Sequence, residues 1–484
     1  MARPALVKSR HLLPAFSHPG RHCLIRPALS RRAGSSSSGQ IYLVVRRSLV
    51  GAQRLFLVLI YNRPHNGVES APPSANSDDG GGNRESLKRM KSYWIVALIL
   101  STALGHATPN ATPNTAPSIR ISGNHFVDGS GKTIQLRGAN VSGLEFVSVQ
   151  GWDAANPWGG QTGNTMPDWS SMKSWDINVV RLPLNEASWL GYQCVDGTGA
   201  ARDPDPGHNY QATVKQSVAG ATAAGLYVIL DLHWTAPKNF CPLAQNPMAD
   251  ADNSIKFWNS VAGTFKGYPN VLFELFNEPY NYWLETPGTE WQTTMQGGTI
   301  TQYVSGGTPY QVAHNWKTAG MQQMLDTVRA TGATNPVLVA GVNWAGDLSQ
   351  WPVNSPKDPL KQIAAVWHAY PAYGTTFGTA AYTLPGGGEA SFVNAQAALA
   401  AGVPVIITET GDHNLKGTVG APFMSKLLPW ADRAGISYLG WAWDVWQNGD
   451  HVLIKDKNGT PTDGYGVYFK QHLGCVAQGK ANCP

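Results

Sequence analysis

The sequence predicts an α/β fold, a TIM (β/α)8 barrel with a short N-terminal β-hairpin and a small disulfide-linked C-terminal tail. Eight short apolar, β-rich runs recur along residues 135–443, and amphipathic segments separate them, several ending in glycine. Polar residues close most of these runs. Eight such units in about 360 residues are typical of this barrel. An open doubly wound sheet is the alternative, but no glycine-rich phosphate loop follows the first run.

The predicted elements follow one another regularly from residue 118 onward. The hairpin pairs residues 119–121 with 133–136 around a turn at 128–131. The predicted strands cover residues 135–140, 179–184, 227–233, 271–278, 336–341, 364–370, 404–409 and 438–443. The predicted helices cover residues 210–224, 255–265, 312–330, 390–401 and 423–434. The barrel domain is therefore expected to span residues 118–484.

Residues 1–89 are predicted to form no folded domain. The segment is rich in arginine, has no acidic residue before Glu69, and contains a serine run at 35–38 and a glycine run at 80–82. Such a composition buries too little apolar surface to order a chain. The start is similar to a transit peptide, although the segment that follows indicates a different destination.

Residues 90–107 have the three parts of a secretory signal peptide. Basic residues flank Met90, residues 93–104 form a short apolar stretch, and Gly105 and Ala107 give a small-x-small cleavage site. The apolar stretch is too short to favour a permanent membrane anchor, and a linker rich in Pro, Thr and Asn follows at 108–117. We therefore expect a secreted, extracellular protein with no membrane contact in its mature form. Because signal peptides begin a chain, we expect translation to start at Met90, with residues 1–89 an upstream extension; a genuine long leader is the alternative.

The cysteines agree with export. Cys194, Cys241, Cys475 and Cys483 form an even set beyond the predicted signal peptide, which is typical of disulfide pairing. Local pairing of Cys475 with Cys483 is the simplest of the three possible connectivities, and it leaves Cys194 to join Cys241. A zinc site is disfavoured because no cysteine pair has ligand spacing and no histidine is interleaved.

The charge distribution excludes one class of partner. The chain carries a formal net charge of +5, but residues 1–107 hold 15 of the 36 Lys and Arg and only 4 of the 31 Asp and Glu. The remaining residues therefore carry a net charge of −6, which gives no basic surface for nucleic acid. We find no cofactor motif and expect no cofactor, no metal and a monomer.

Residues 271–280, with the sequence VLFELFNEPY, indicate where the functional site lies. An apolar strand gives way to Asn277, Glu278 and Pro279, and a proline cannot continue a central strand. In a TIM barrel the carboxyl ends of the strands form the catalytic face. The other polar or aromatic residues predicted at this edge are Arg181, Asp231, His233, His368, Tyr370, Glu409, Trp441 and Trp443.

Two glutamates are the chemical centre of this prediction. Glu278 and Glu409 close strands four and seven, on opposite sides of the barrel mouth. Two facing carboxylates without a metal or cofactor motif suit glycoside hydrolysis, in which one protonates the leaving oxygen and the other attacks the anomeric carbon. A separation of roughly 5 Å would give retention of configuration. We expect the charge of one carboxylate to raise the pKa of the other, which keeps the acid protonated.

The segment 271–280 resembles the signature of glycoside hydrolase family 5, the cellulase family, and the resemblance extends over residues 118–474. It implies that Glu278 is the acid/base, that Asn277 binds the sugar 2-hydroxyl, and that Glu409, in the sequence IITE, is the nucleophile. It also implies substrate-binding roles for Arg181 (in VRLP), His233 (in DLH), and His368 and Tyr370 (in WHAY). Trp441 and Trp443 are the two candidates for the floor of the central sugar subsite, and Trp443 is favoured because it lies nearer the predicted strand end.

With the signal-like segment at 90–107, the resemblance predicts a secreted retaining β-glycosidase that acts on β-1,4-linked plant polysaccharide or oligosaccharide, and an endo-β-1,4-glucanase (cellulase) is the leading hypothesis. A mannan-directed or exo-acting relative is the alternative within enzymes, and a non-catalytic carbohydrate-binding barrel is the alternative outside them. A pure binder has no need of two facing carboxylates. The connection at 281–310 matches no common pattern, and it either closes one end of the cleft or packs its own aromatic residues.

Overall fold

The computed structural model describes residues 42–50, 53–61, 116–151, 156–159, 166–280, 288–305, 311–370, 388–412, 421–445, 451–480 and 482–484. The chain divides into two compact units, Met1–Thr102 and Ala103–Pro484. In the second unit, the predicted (β/α)8 barrel is confirmed. Its strands, numbered β1 to β8 in chain order, are Arg137–Asn140, Val179–Asn185, Tyr227–Trp234, Val271–Glu274, Val337–Ala340, Ile363–Ala369, Val405–Thr410 and Ser437–Gly440.

Each barrel strand pairs in parallel with the strand before and after it in sequence. The pairing of Tyr438 on β8 with Arg137 on β1 closes the cylinder. Because all strands run the same way, their carboxyl ends meet at one rim. Side chains of β2, β3, β4 and β7 are buried along almost their whole length, as a sheet covered on both faces requires.

Helices follow the strands and cover the outside of the barrel. The helix Ser254–Phe265 buries Phe257, Trp258, Val261 and Phe265 along one stripe, as helical periodicity requires. The helices of the described part of this unit are Val147–Gln150, Trp169–Lys173, Glu186–Leu190, Tyr210–Ala223, Ser254–Phe265, Glu290–Gln296, Met321–Ala330, Trp351–Asn354, Gly388–Ala400, Met424–Ala434 and Tyr465–Ala477.

Two local predictions need correction. The N-terminal hairpin is a three-stranded sheet, because His125–Asp128 lies between Ile119–Ser122 and Thr133–Ile134 and pairs with both. The tight turn at Gly123, which has a φ of 59°, allows this extra strand. The predicted helix at 312–330 begins only at Met321, since Gln311–Thr318 is a strand.

That strand belongs to the long connection between β4 and β5. Gln311–Thr318 pairs antiparallel with Gly298–Ser305, and the helix Glu290–Gln296 precedes the pair. Within the connection, Trp291, Ile300 and Trp316 are buried. The described residues of the insertion therefore pack aromatic residues of their own, while residues 281–287 and 306–310 lie outside the described part.

Both predicted disulfides are confirmed. Cys194 pairs with Cys241 across 47 residues, and Cys475 pairs with Cys483 across 8 residues. The first joins the loop after β2 to the loop after β3. The second folds the C-terminal tail back on the last helix, where Tyr468 donates to the carbonyl oxygen of Pro484 at 2.6 Å.

In the first unit, Tyr42–Val50 and Gln53–Tyr61 form an antiparallel hairpin with Tyr42 opposite Tyr61. A two-stranded hairpin is too small for a core of its own. The remainder of residues 1–89, the predicted signal peptide and most of the linker at 108–117 lie outside the described residues, so these assignments stay predictions. No helix in the described ranges is both long and apolar enough to cross a membrane.

Candidate active site

The strand ends bring the predicted polar residues to one rim. β4 is shorter than predicted: its ladder ends at Glu274, and residues up to Glu278 continue without it, although the amide of Asn277 still donates to the carbonyl of Leu232 on β3. β2 supplies Arg181, and β7 supplies Glu409. The remaining rim residues are Asp231, His233, His368, Tyr370, Trp441 and Trp443.

Arg181 is the hub of the rim and is fully buried. Its Nε donates to Glu274 at 2.7 Å, and its Nη1 donates to Glu409 at 2.6 Å. Burial alone would lower the pKa of Arg181, but the surrounding carboxylates raise it well above its ordinary value. The side chains that accept its hydrogen bonds or ion pairs are those of Asn140, Asp231, Glu274, Asn277 and Glu409.

Glu409 is held at both oxygens. Arg181 donates to Oε1, and the hydroxyl of Tyr370 donates to Oε2 at 3.0 Å. The residue is only 5% exposed. Its carboxylate therefore has one fixed orientation, as a positioned nucleophile requires.

Glu278 is also contacted at both oxygens. His368 lies with Nδ1 at 2.7 Å from Oε1, and Gln245 donates its amide to Oε2 at 2.9 Å. Burial alone would raise the pKa of Glu278, but the hydrogen bond and charge of His368, together with the Gln245 amide, lower it. The expectation that a neighbouring carboxylate raises the pKa of this residue is therefore wrong for the free protein.

The charge of His368 explains why the pKa of Glu278 is lowered. Burial opposes charge on its ring, yet the negative charges of Glu409, Glu274 and Glu278 raise its pKa to about 10. Its Nε2 lies 2.9 Å from the hydroxyl of Thr408, which in turn donates to Glu274. A cation thus stands between the two catalytic candidates, with Nδ1 also 3.7 Å from Glu409.

The two candidate carboxylates are close together. One oxygen of Glu278, one nitrogen of His368 and one oxygen of Glu409 all lie within 4.8 Å of one another. Three atoms of this kind are enough in number to ligate a metal ion, but the protonation of His368 does not suit a metal ligand. The ring nitrogens of His368 both face hydrogen-bond partners and its pKa is raised to about 10, so near neutral pH a metal would have to displace a proton from the ring.

Two buried polar atoms in this part of the rim have no hydrogen-bond partner among the described residues. They are Nδ2 of Asn277 and Oδ1 of Asp231. Asp231 binds Arg181 and His233 through its other oxygen. Burial and the charge of Arg181 lower the pKa of His233, so its ring is neutral near pH 7. Unpaired buried polar atoms, here one amide donor and one carboxyl oxygen, are costly, and their presence in a cleft indicates a place for a ligand.

The two tryptophans after β8 have different surroundings. Trp443 is 4% exposed, and its ring packs edge-on against Trp175 with centroids 4.8 Å apart. Trp441 is partly exposed and stacks beside His233, with an angle of 14° between the rings. Trp158, in the connection after β1, and Trp189, in the helix Glu186–Leu190 after β2, are buried.

Sequence reasoning missed Glu274, Asn140, Thr408 and Gln245. Glu274 leaves a signal, because a carboxylate in the middle of the apolar run 271–276 must have a buried partner. Gln245 leaves none, since it lies in a loop and no strand pattern marks it.

The chain is similar to a known family over most of the barrel domain. The cellulase model of glycosyl hydrolase family 5 matches residues 127–447. Endoglucanase 5 of Pectobacterium carotovorum subsp. carotovorum is 24% identical over 372 residues, which cover 74% of this chain and 57% of that protein. Endoglucanase N of Pectobacterium atrosepticum is 24% identical over 372 residues, which cover 74% of this chain and 65% of that protein. The chain thus spans less than two thirds of the length of both relatives.

Among solved structures, a β-glucanase from Saccharophagus degradans superposes with a TM-score of 0.51 at 24% identity, covering 75% of this chain and 94% of that one. The same β-glucanase has also been solved in complex with cellotetraose. At this identity the superposition supports the barrel fold.

Proposed function

This chain belongs to the cellulase family, glycosyl hydrolase family 5, and we propose that it is a retaining endo-β-1,4-glucanase that acts by double displacement. Glu409 is the nucleophile and Glu278 the acid/base in this proposal. The observation that carries it is the pair of carboxylates with an oxygen of each within 4.8 Å of the other. Retaining enzymes place their carboxyl groups about 5 to 5.5 Å apart, whereas inverting enzymes leave roughly 6.5 to 9.5 Å for a water molecule.

The surroundings of the two glutamates support separate roles. Arg181 and Tyr370 donate to both oxygens of Glu409, which holds its carboxylate ready to attack the anomeric carbon. Glu278 faces His368 and Gln245 instead, and the amide of Gln245 can rotate from donor to acceptor when Glu278 gains a proton. In the free protein the pKa of Glu278 is lowered. Once Glu409 has formed the glycosyl ester it loses its negative charge, and Glu278 is then suited to act as a base toward water.

The unpaired amide of Asn277 supports a sugar contact. Its Nδ2 is buried without a partner in the described part of the chain, while its Oδ1 accepts from Arg181 at 2.8 Å. We assign this free donor to the 2-hydroxyl of the sugar beside Glu409. For the floor of the same subsite we assign Trp441, because it is partly exposed at the rim whereas Trp443 is packed against Trp175.

The substrate class rests on relatives rather than on contacts. Both curated relatives are named endoglucanases, and the superposed β-glucanase was solved with cellotetraose. A β-1,4-glucan is therefore the proposed substrate, with a mannan-directed or exo-acting enzyme as the alternative. Product sizes from carboxymethylcellulose, lichenan and mannan distinguish these three.

The first prediction tests the two glutamates by azide rescue of glycine variants. Glu409→Gly removes the nucleophile, so hydrolysis should fall by more than about 10⁴-fold. Azide can enter the vacated space and attack a substrate with a good leaving group, giving the α-glycosyl azide in one inversion. Nuclear magnetic resonance of the product gives its anomeric configuration.

Glu278→Gly is the matched variant. The glycosyl-enzyme still forms from an activated aryl glycoside, so azide should intercept it and give the β-glycosyl azide after two inversions. Substrates with poor leaving groups should lose about 10²- to 10⁴-fold in rate. Exchanged configurations would reverse the two roles, and near wild-type cellulose hydrolysis by either variant would end the retaining mechanism.

We also propose that the protein is exported. The signal-like segment at 90–107 and the two disulfides support this, since disulfides persist in oxidising compartments. The second prediction is that the exported product begins near Thr108 and that expression from Met90 gives full activity. N-terminal sequencing decides it, and a mature start before Met90 would show that the extension is part of the protein.

A further inference from the structure

Gln245 contacts the acid/base candidate from a loop that sequence reasoning did not consider. It lies in the β3 loop, residues 235–253, which follows β3 directly. Its Nε2 donates to Oε2 of Glu278 at 2.9 Å and is 3.4 Å from the backbone oxygen of the same residue. The side chain is partly buried.

The β3 loop is fixed on both sides of Gln245. On one side, Cys241 is joined to Cys194 by the disulfide, and the amide of Gln150 donates to the carbonyl of Leu243 at 3.1 Å. On the other side, the backbone amide of Tyr280 donates to the carbonyl of Pro247 at 3.0 Å. Gln245 is therefore presented to Glu278 by a backbone that is anchored two to four residues away.

His368 decides which oxygen of Glu278 can carry the acid proton. The ring of His368 is a cation near neutral pH, because its pKa is raised to about 10, so its Nδ1 can only donate to Oε1. Glu409 and Glu274 also raise the pKa of His368 and remain beside the ring when Glu278 gains a proton, so we take Oε1 to accept that bond in both protonation states. The proton that Glu278 transfers to a leaving group is then on Oε2, the oxygen that Gln245 contacts.

We propose, on the basis of the proposed function, that Gln245 is the positioning residue for the proton-donating oxygen of Glu278. A primary amide both donates and accepts. In the free enzyme its N–H donates to the carboxylate. When Oε2 is protonated, rotation of the amide presents Oε1 of Gln245, to which no described residue donates, and the acid O–H is held until it transfers to the glycosidic oxygen.

Other ionisable groups also act on Glu278, and a change at Gln245 leaves all of them in place. These groups lie on β3, β6 and β7 and beyond the ends of β4 and β6: Asp231, His233, Tyr280, His368, Tyr370 and Glu409. A shift in the ionisation of Glu278 that follows substitution of Gln245 alone therefore reports the Gln245 contact.

The third prediction concerns Gln245→Met, which keeps side-chain length and removes the donor. The carboxylate of Glu278 loses a stabilising hydrogen bond, so the upper limb of the pH profile of kcat/KM should move to higher pH by about one unit. Because the acid proton is no longer oriented, kcat/KM should fall about tenfold more for a phenyl β-cellotrioside than for the 2,4-dinitrophenyl analogue, whose leaving group needs no protonation. Because the pKa of Glu278 is lowered in the free protein, both substrates are measured with the full chain from about pH 2.5 to about pH 8.

Gln245→Glu is the second variant. Its added carboxyl must share a proton with Glu278, so the upper limb should move further in the same direction. Gln150→Ala is the control, since it removes a hydrogen bond to the same loop without touching Glu278. Its upper limb should coincide with that of the wild type.

Three results would each overturn the proposal. The upper limb of the pH profile of kcat/KM could stay unmoved in the Gln245 variants, or Gln245→Met could lose kcat/KM equally for the two leaving groups. The third is an equal shift of the upper limb in Gln150→Ala. If thermal unfolding shows that Gln245→Met does not fold, the upper limb of the pH profile of kcat/KM for Gln245→Glu tests the proposal instead. Failure of the proposed function has a different signature: the wild type itself would then hydrolyse neither cellotrioside.

Discussion

The barrel contains two clusters built from similar residue types, one at each end; the rim cluster is largely buried, and the base cluster is partly exposed at Arg137 and Asp432. The rim cluster consists of Arg181, Asp231, Glu274, Glu278, His368 and Glu409, and the base cluster of Arg137, Asp432, Tyr438 and His472. Each has an arginine on a barrel strand, a histidine and at least one carboxylate. They differ in charge balance and in how completely their atoms are paired.

The base cluster is paired throughout. Oδ1 of Asp432 accepts from Arg137 at 2.9 Å and from the hydroxyl of Tyr438 at 3.2 Å, and Nε2 of His472 lies 2.9 Å from Oδ2. Burial would raise the pKa of Asp432, but the hydrogen bonds and charges of His472 and Arg137 lower it. This cluster ties β1 and β8 to two outer helices, which is a structural role.

The rim cluster is left incomplete. Four carboxylates share two cations, and two nearby polar atoms lack partners in the described part of the chain. Such an arrangement lowers stability. The two clusters therefore differ in how many of their polar atoms have partners. At the rim a sugar can supply the partners that are absent, whereas the polar groups of the base cluster are already paired.

The fourth prediction breaks both clusters at their arginines and has the largest expected effect. Arg181→Met leaves Asp231, Glu274 and Glu409 buried without their counter-charge, so the free energy of unfolding should fall by about 3–5 kcal/mol and activity should be lost. Arg137→Met removes a partner that is 21% exposed, and its cost should be about 1 kcal/mol with activity unchanged. Denaturant unfolding and kcat/KM measure the two effects.

Similar losses of stability in the two arginine variants would show that the rim is no more strained than the base. Loss of activity in a folded Arg137→Met would show that the base cluster also shapes the site.

The fifth prediction sharpens the comparison with two tyrosines and has a smaller effect. Tyr370→Phe removes the donor to Oε2 of Glu409, so kcat/KM should fall about ten- to a hundredfold because a hydrogen bond to a charged group is lost. Tyr438→Phe removes one donor to Asp432 and should cost about 1 kcal/mol of unfolding free energy. Its kcat/KM should match that of the wild type, and a reversed pattern of effects would contradict the division of roles.

Much of the fold was predictable because its causes are local in sequence. Each barrel strand is a short apolar run, and most runs end in a polar residue at the carboxyl edge, so burial and periodicity together identified all eight. The first half of the predicted helix at 312–330 was wrong. Gln311–Thr318 is a strand because it pairs with Gly298–Ser305, and the local sequence pattern does not reveal that pairing.

The sequence by itself determined the barrel, the two disulfides, and the rim positions of the predicted arginine, histidines and carboxylates, but it did not identify Glu274. The tertiary structure alone decided their electrostatics. Arg181 and Glu409 are 228 residues apart and Glu278 and His368 are 90 apart, yet each pair is in direct contact. The sign of the pKa shift at Glu278, the contact of Gln245 and the exposure of Trp441 depend on distances through space, because Coulomb energy and desolvation are set by neighbouring atoms and not by position along the chain.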